Sequence, residues 1–329
     1  MFKHLIISFA LLLPVCSFAQ GLNYTDAQRL TIVGKLMPTD NPYARLDAGK
    51  YPGITSGEAK QAANCTGMAV AFRTNSNYIG VDVTYSVVGS GSNCPLYATR
   101  GFDLYIKREG RWVWAGNGVP GKAVTDDSVQ IKLIEGAGDG WKDCLVYLPL
   151  FSTIESLAVV TDEDSRIEAV DNPFKGRVAV FGSSYTHGAG CGRAAMTYPA
   201  QLGRVLGYEF INMGFSGNCK LQPYFAQALC EADVDAYLFD AFSNPTPEQM
   251  RERLFPFIEK IQASHPGKPL IFMKSVWREK RNFSLSYEAK EAAKASTADS
   301  LMRIAVQRYD NVYWVDSTNT IGQYHECTS

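Results

Sequence analysis

From Arg29 to about Asp171 the chain alternates apolar and polar positions in short runs broken by Gly, Asn, Ser and Asp. The clearest runs are GVDVTYS (80–86), GFDLYIK (101–107), VQIKLIE (129–135), CLVYLPL (144–150) and ESLAVVT (155–161). A period of two sends successive side chains to opposite faces of a strand, and no long helical period interrupts these runs. The pattern predicts an all-β unit over residues 20–170, a sandwich or jelly roll. Gly110, between Lys107 and Arg111, marks a hairpin joining two of its strands.

Residues 171–176 (DNPFKG) read as a linker, because Pro173 disfavours helix before it and Gly176 frees the backbone. Beyond it the period changes. Strand-like segments at 177–182, 208–213, 234–240, 269–274 and 311–316 alternate with helical ones, the βα pattern of a doubly wound parallel sheet over 177–329. One helix is especially well marked: Thr246 is its cap, Pro247 takes the first turn and Gln249 completes a capping box. Met250, Leu254, Phe257, Ile258 and Ile261 then recur at helical spacing, while Glu248, Arg251 and Glu259 fall on the opposite side.

Three strand ends carry candidate chemistry. RVAVFGSSYTHG (177–188) is a strand running into a Gly-Ser-Ser turn, which sets Ser184 at the carboxyl edge of the sheet, where open α/β sheets hold ligands. A serine in such a turn is more often an N-cap than a nucleophile. NMGFSGN (212–218) ends the next strand and FDAFSNP (239–245) the one after, so a hydroxyl, a backbone glycine and an amide reach one edge, as acyl transfer requires.

With these blocks in this order, the C-terminal half resembles an SGNH (GDSL-type) hydrolase of the branch that carries an extra N-terminal β-domain. The resemblance covers most of the chain and implies a flavodoxin-like five-stranded parallel sheet with helices on both faces. It makes Ser184 the nucleophile, Gly217 the oxyanion glycine and Asn244 the oxyanion asparagine. Ser183 stands where the family often has Asp or Thr, and is the less favoured nucleophile. The family draws its base from an Asp-x-x-His motif after the last strand, and no histidine of this sequence has an aspartate three residues before it. Of the histidines left, His187 reads as a residue of the site rim, His265 as a loop residue, and His325 as the nearest topological substitute for the base. The last strand also has no helix after it, which leads us to expect a C-terminally incomplete chain with little turnover.

The address comes from the first residues. Met1 to Ala19 carries Lys3, an apolar stretch from Leu5 to Val15 and a Ser-Phe-Ala end, a secretory signal peptide cleaved after Ala19 and too short to span a bilayer. A periplasmic or secreted protein is expected. A lipid anchor on Cys16 is disfavoured by the bulk of Val15. Seven cysteines remain after cleavage; Cys191 and Cys219 either meet as a disulfide at the site edge or are two unrelated buried thiols.

A net charge of −1 over 329 residues leaves no nucleic-acid footprint, and no Cys or His spacing suggests a metal or other cofactor. Trp112 and Trp114 share a strand face, either as a sugar-stacking pair or, more ordinarily, as half-buried core. The expected activity is that of an exported serine ester hydrolase acting on a small-molecule or polysaccharide ester, with carbohydrate O-acyl esters favoured by the appended β-domain. The alternative is a non-catalytic glycan-binding protein on the same scaffold.

Overall fold

The computed structural model describes residues 21–90, 93–121 and 127–320. The signal segment, Cys16, His325 and Cys327 lie outside them.

The N-terminal strands are β1 (Leu22–Asp26), β2 (Thr31–Val33), β3 (Ala69–Thr74), β4 (Tyr78–Val87), β5 (Phe102–Arg108), β6 (Arg111–Gly118), β7 (Val129–Glu135), β8 (Lys142–Tyr147), β9 (Thr153–Asp162) and β10 (Ile167–Ala169). They form two antiparallel sheets, one ordered β1-β9-β4-β7 and the other β10-β3-β8-β5-β6 with β2 also on β3. Inward side chains from both sheets, among them Val70 and Phe72 of β3, Val81 and Val83 of β4, Leu104 of β5 and Val159 of β9, make one apolar core. The predicted hairpin at Gly110 is present: Arg108 faces Arg111, and Glu109 (φ 50°) and Gly110 (φ 77°) both turn left-handed, as a two-residue primed turn demands. Two short helices stand among the strands, α1 (Ser56–Ala62) and α2 (Leu96–Thr99). The first opens on a capping box between Thr55 and Glu58.

The C-terminal unit runs β11 (Arg177–Gly182), α3 (Ser184–His187), α4 (Tyr198–Leu206), β12 (Glu209–Gly214), α5 (Pro223–Cys230), β13 (Ala236–Asp240), α6 (Pro247–Ser264), β14 (Leu270–Met273), α7 (Leu285–Arg308) and β15 (Val312–Val315). Its five strands are all parallel in the order β12-β11-β13-β14-β15. The chain therefore starts in the middle of the sheet, goes out one way and returns to build the other side. That reversal leaves a crevice at the carboxyl ends of β11, β12 and β13. Helix α6 follows its sequence signals closely. Thr246 and Gln249 form both halves of the capping box, and its buried residues are Met250, Leu254, Phe257, Ile258 and Ile261.

The two units share apolar surface. Leu36, Leu46, Tyr51 and Ala62 belong to the same cluster as Phe181 and Phe239 of the parallel sheet and Phe215 just beyond β12. A smaller cluster packs Ala69, Tyr105 and Tyr147 of the second β-sheet against Ala194, Ala195 and Ala200. Arg204 on α4 lies 4.2 Å above the Tyr105 ring.

Candidate active site

Register decides what meets at the sheet edge. Gly182 of β11 is level with Gly214 of β12 on one side and Asp240 of β13 on the other, so the three following loops leave at the same height. The ladder continues one step further, with Phe215 N–H donating to Gly182 C=O at 2.9 Å and Ser183 N–H to Asp240 C=O at 3.1 Å. Ser184, Gly217 and Asn244 all lie on these three loops.

The first loop turns at once into α3. Glycine at 214 is required by close packing: a Cβ there would lie 2.2 Å from His187 N. Ser183 is the cap, its Oγ accepting from Tyr185 N–H at 3.2 Å and donating to Asp240 Oδ2 at 2.5 Å. It is fully buried, and these bonds occupy its hydroxyl. Ser184 is half-buried, and among the described residues its hydroxyl makes no hydrogen bond. The N-cap reading thus falls on Ser183 and leaves Ser184 free.

Asp240 holds the turn from below, accepting also from Ser183 N–H at 3.1 Å and Thr186 Oγ1 at 3.0 Å. Burial pushes its carboxyl above the usual range, and these hydrogen bonds pull it back. Tyr198 OH extends the chain, 2.8 Å from Thr186 Oγ1.

The second loop, a short 3-10 turn over Ser216–Asn218, carries Gly217. Gly217 is exposed and would have nothing within 4 Å of a Cβ. Ser216 before it is a non-glycine residue at φ 47°. Its Oγ lies 2.9 Å from His187 Nδ1. Cavities flank this turn: one of about 630 Å³ reaches Asn218, Lys220, Tyr224 and Arg253. Another of about 560 Å³ reaches Gln61, Phe151, His187 and Ser216.

In the third loop Asn244 is half-buried, and its Oδ1 is buried without a hydrogen-bond partner among the described residues. The carbonyl of Ser243 before it accepts from Lys294 Nζ at 2.9 Å. Lys294 is itself paired with Glu291, which also takes Arg278 at 3.2 Å. Burial lowers the Lys294 ammonium pKa.

His187 sits at the far end of α3 from Ser184. It is buried, its ring tilted against that of Phe151 with centroids 4.6 Å apart, and its Nε2 has no partner among the described residues. Burial, and then the Arg45 charge, hold its pKa well below the ordinary imidazole value, so the ring is neutral. It braces the second loop; it is no rim residue. His265 caps α6, with Nε2 2.8 Å from Cys230 C=O.

Cys191 and Cys219 are both free thiols, so the disulfide reading gives way to the other one. Cys219 is wholly buried with Sγ 3.8 Å from Asp240 C=O. Cys191 is only half-buried and belongs to a different neighbourhood: its N–H donates to Gly188 C=O, the carbonyl that Cys94 Sγ approaches at 3.9 Å. Of the two tryptophans on β6, Trp112 is half-buried and Trp114 is 48% exposed. Trp112 packs partly against the inter-unit cluster, and the guanidinium of Arg193 lies 5.0 Å over Trp114. Among the described residues no cluster of His, Cys, Asp and Glu could hold a metal, and no helix is long and apolar enough to cross a membrane.

The sequence reading passed over Arg45, Glu58, Gln61 and Asp103, which tie the N-terminal unit to these loops. Available signals were the Thr55-x-x-Glu58 box and a carboxylate inside the apolar run of β5.

Comparison with known proteins follows the same division. The family model for GDSL-like lipases and acylhydrolases matches residues 175–329, and that for the N-terminus of SGNH-hydrolase-type esterases, named GxDLY, matches residues 22–167. A solved Bacteroides ovatus ATCC 8483 protein named a GDSL-like lipase is 33% identical, over 94% of this chain and 90% of that one, with a TM-score of 0.88. The chain belongs to the GDSL-like lipase/acylhydrolase family. As a GDSL-like acylhydrolase it is an enzyme acting on ester bonds. The GxDLY name is spelled here by Gly101, Phe102, Asp103, Leu104 and Tyr105. Two more distant structures share the fold. A salicylyl-acyltransferase from a tetracycline biosynthetic pathway is 18% identical over 92% of this chain and 86% of its own, with a TM-score of 0.69. A family two carbohydrate esterase from Cellvibrio japonicus is 11% identical over 91% and 89%, with a TM-score of 0.57. No curated protein matches the chain.

Proposed function

We propose that this GDSL-like acylhydrolase is an exported carbohydrate esterase in which Ser184 attacks the ester carbonyl. The Ser184 and Gly217 N–H groups and the Asn244 amide receive the oxyanion. Its collapse breaks the ester C–O bond and releases the sugar hydroxyl with the serine's proton, and water then releases the acyl group from the serine as the free acid. The observation that carries the reading is the level exit of three loops at Gly182, Gly214 and Asp240, with the Ser184 hydroxyl unbonded among the described residues while Ser183 is engaged by Asp240 and Tyr185. Likeness to a carbohydrate esterase supports the substrate class, as does an N-terminal all-β unit, which we read as a sandwich of the jelly-roll kind. Export rests on the signal-like Met1–Ala19 segment.

Each half-reaction needs a base, and the sequence contains no Asp-x-x-His to supply it. Slow turnover is therefore expected. The same observation favours the second reading, a protein that holds a glycan without cutting it. Assay of the purified chain on acetylated oligosaccharides and p-nitrophenyl acetate separates them. Hydrolysis abolished by Ser184→Ala supports the esterase; oligosaccharide binding with no Ser184-dependent hydrolysis overturns it in favour of the binder.

A further inference from the structure

The turn that carries Gly217 is held by a segment more than 150 residues earlier in the chain. Arg45 is buried to 1% exposure, yet among the described residues no carboxylate is a hydrogen-bond partner of it. Its guanidinium is spent on backbone carbonyls instead. Nη1 donates to Asn212 C=O at 3.0 Å and Gly214 C=O at 2.8 Å, the last residues of β12. Nε and Nη2 donate to Asn64 C=O at 3.1 Å and Gln61 C=O at 2.6 Å, at the end of α1. The planar group also lies 5.1 Å over the Phe215 ring. Burial pushes its pKa down to about 9, which still leaves a cation at neutral pH. A guanidinium offers five N–H donors in a rigid fork, so one side chain fixes the end of β12 and the end of α1 in one mutual geometry.

The far side of the turn is fixed by α1 itself. Gln61 Oε1 accepts from Asn218 Nδ2 at 3.0 Å. Gln222 Nε2 donates both to Asn218 C=O at 2.6 Å and to Glu58 Oε1 at 2.8 Å. Glu58, 2% exposed, also accepts from Tyr224 OH at 2.8 Å. Between these anchors a Cβ at Gly217 would meet nothing within 4 Å, and Ser216 is kept in a left-handed conformation that a serine rarely adopts. The position of the Gly217 N–H is thus tied to the anchors on either side of it.

We infer that Arg45 and Gln61 are positioning residues for the oxyanion donor at Gly217, so that the N-terminal unit completes the catalytic site by holding the turn from outside the parallel sheet. The inference rests on the esterase reading. An oxyanion donor acts only if it is in place before charge develops, and a displacement of about 1 Å costs on the order of 100-fold in rate. Binding of the ground-state ester does not need that accuracy, so the loss falls on kcat.

The test uses the full chain and p-nitrophenyl acetate. Gln61→Leu, which removes the acceptor for Asn218, is expected to lower kcat about tenfold with KM within about twofold, and Gln61→Glu, which keeps an oxygen there, is expected to restore most of it. Arg45→Lys is expected to lose more, since one ammonium cannot reach carbonyls on both sides. Arg45 variants risk misfolding, so amide exchange of residues 213–220 is read beside that of 180–190. Faster exchange confined to the first segment in Gln61→Leu supports the inference. Unchanged exchange there together with unchanged kcat overturns it. If the parent chain shows no Ser184-dependent hydrolysis the esterase reading fails, and the exchange arm still decides whether α1 holds the turn.

Discussion

Asp103, the second residue of β5, accepts Arg193 Nη1 at 3.1 Å and the Ala195 N–H at 2.8 Å, and so joins the second β-sheet to the chain that leaves the Ser184 turn. The carboxylate is wholly buried while Arg193 keeps about a quarter of its side chain in water. A buried charge stripped of its partners is costly, whereas its removal strands a partly solvated arginine and a buried backbone donor.

Asp103→Ala is accordingly expected to destabilise the protein by about 3 kcal/mol, and Asp103→Asn, which keeps an acceptor for Ala195, by about half of that. Urea unfolding at constant m-value measures both. Equal losses would mean that the Ala195 bond carries nothing.

What could be read from the sequence was local. The α6 capping box needs residues three apart, its buried face needs residues three and four apart, and strand alternation needs a few neighbours. The flavodoxin-like strand order followed from the resemblance and from the βα alternation together. The anchors of the site were not legible for the opposite reason. Arg45 and Gly214 are 169 residues apart, and Asp103 and Arg193 are 90. Within a short window Arg45 reads as a solvated loop charge, and only the tertiary fold closes carbonyls around it. His187 misled in the same way, since nearness to Ser184 in sequence said nothing about the far end of a four-residue helix.

The adjacent serines are expected to part company under substitution. Ser184→Ala removes the free hydroxyl and is expected to take hydrolysis of p-nitrophenyl acetate below detection with no change in thermal stability. Ser183→Ala loses the α3 cap and one Asp240 partner, about 1 kcal/mol or more, but Asp240 keeps Ser183 N–H and Thr186 Oγ1. Its hydrolysis is expected to persist at reduced Tm. A reversal of these two phenotypes would move the nucleophile to Ser183.

The neutral, buried His187 makes stability depend on pH in a defined direction. Its folded pKa is depressed, so below about 6.5 the unfolded chain binds a proton that the folded chain does not. The contribution is full above that value and is lost as pH falls, at up to about 1.4 kcal/mol per pH unit, until the folded pKa is reached. His187→Asn, which retains a polar partner for Ser216 and does not titrate, is expected to be less stable than the parent at pH 7.5 and to show a shallower decline toward pH 5. Parallel curves in the two proteins would show that His187 protonates equally in both states.

Asn244 separates function from stability. Its Oδ1 is buried without a partner among the described residues, a condition that costs roughly 1–3 kcal/mol wherever it occurs. The turn beneath it does not depend on the amide, because Lys294 holds the Ser243 carbonyl and Thr246 caps α6 just beyond. An unfavourable polar group kept at a sheet edge is the usual mark of a residue retained for what it does to a ligand. Asn244→Ala is therefore expected to lower kcat about 100-fold, as loss of one oxyanion donor does, while Tm stays level or rises. Tm and kcat measured on the same preparation decide it. A variant that loses stability and keeps its rate would make Asn244 a structural residue and leave the oxyanion to the two backbone N–H groups.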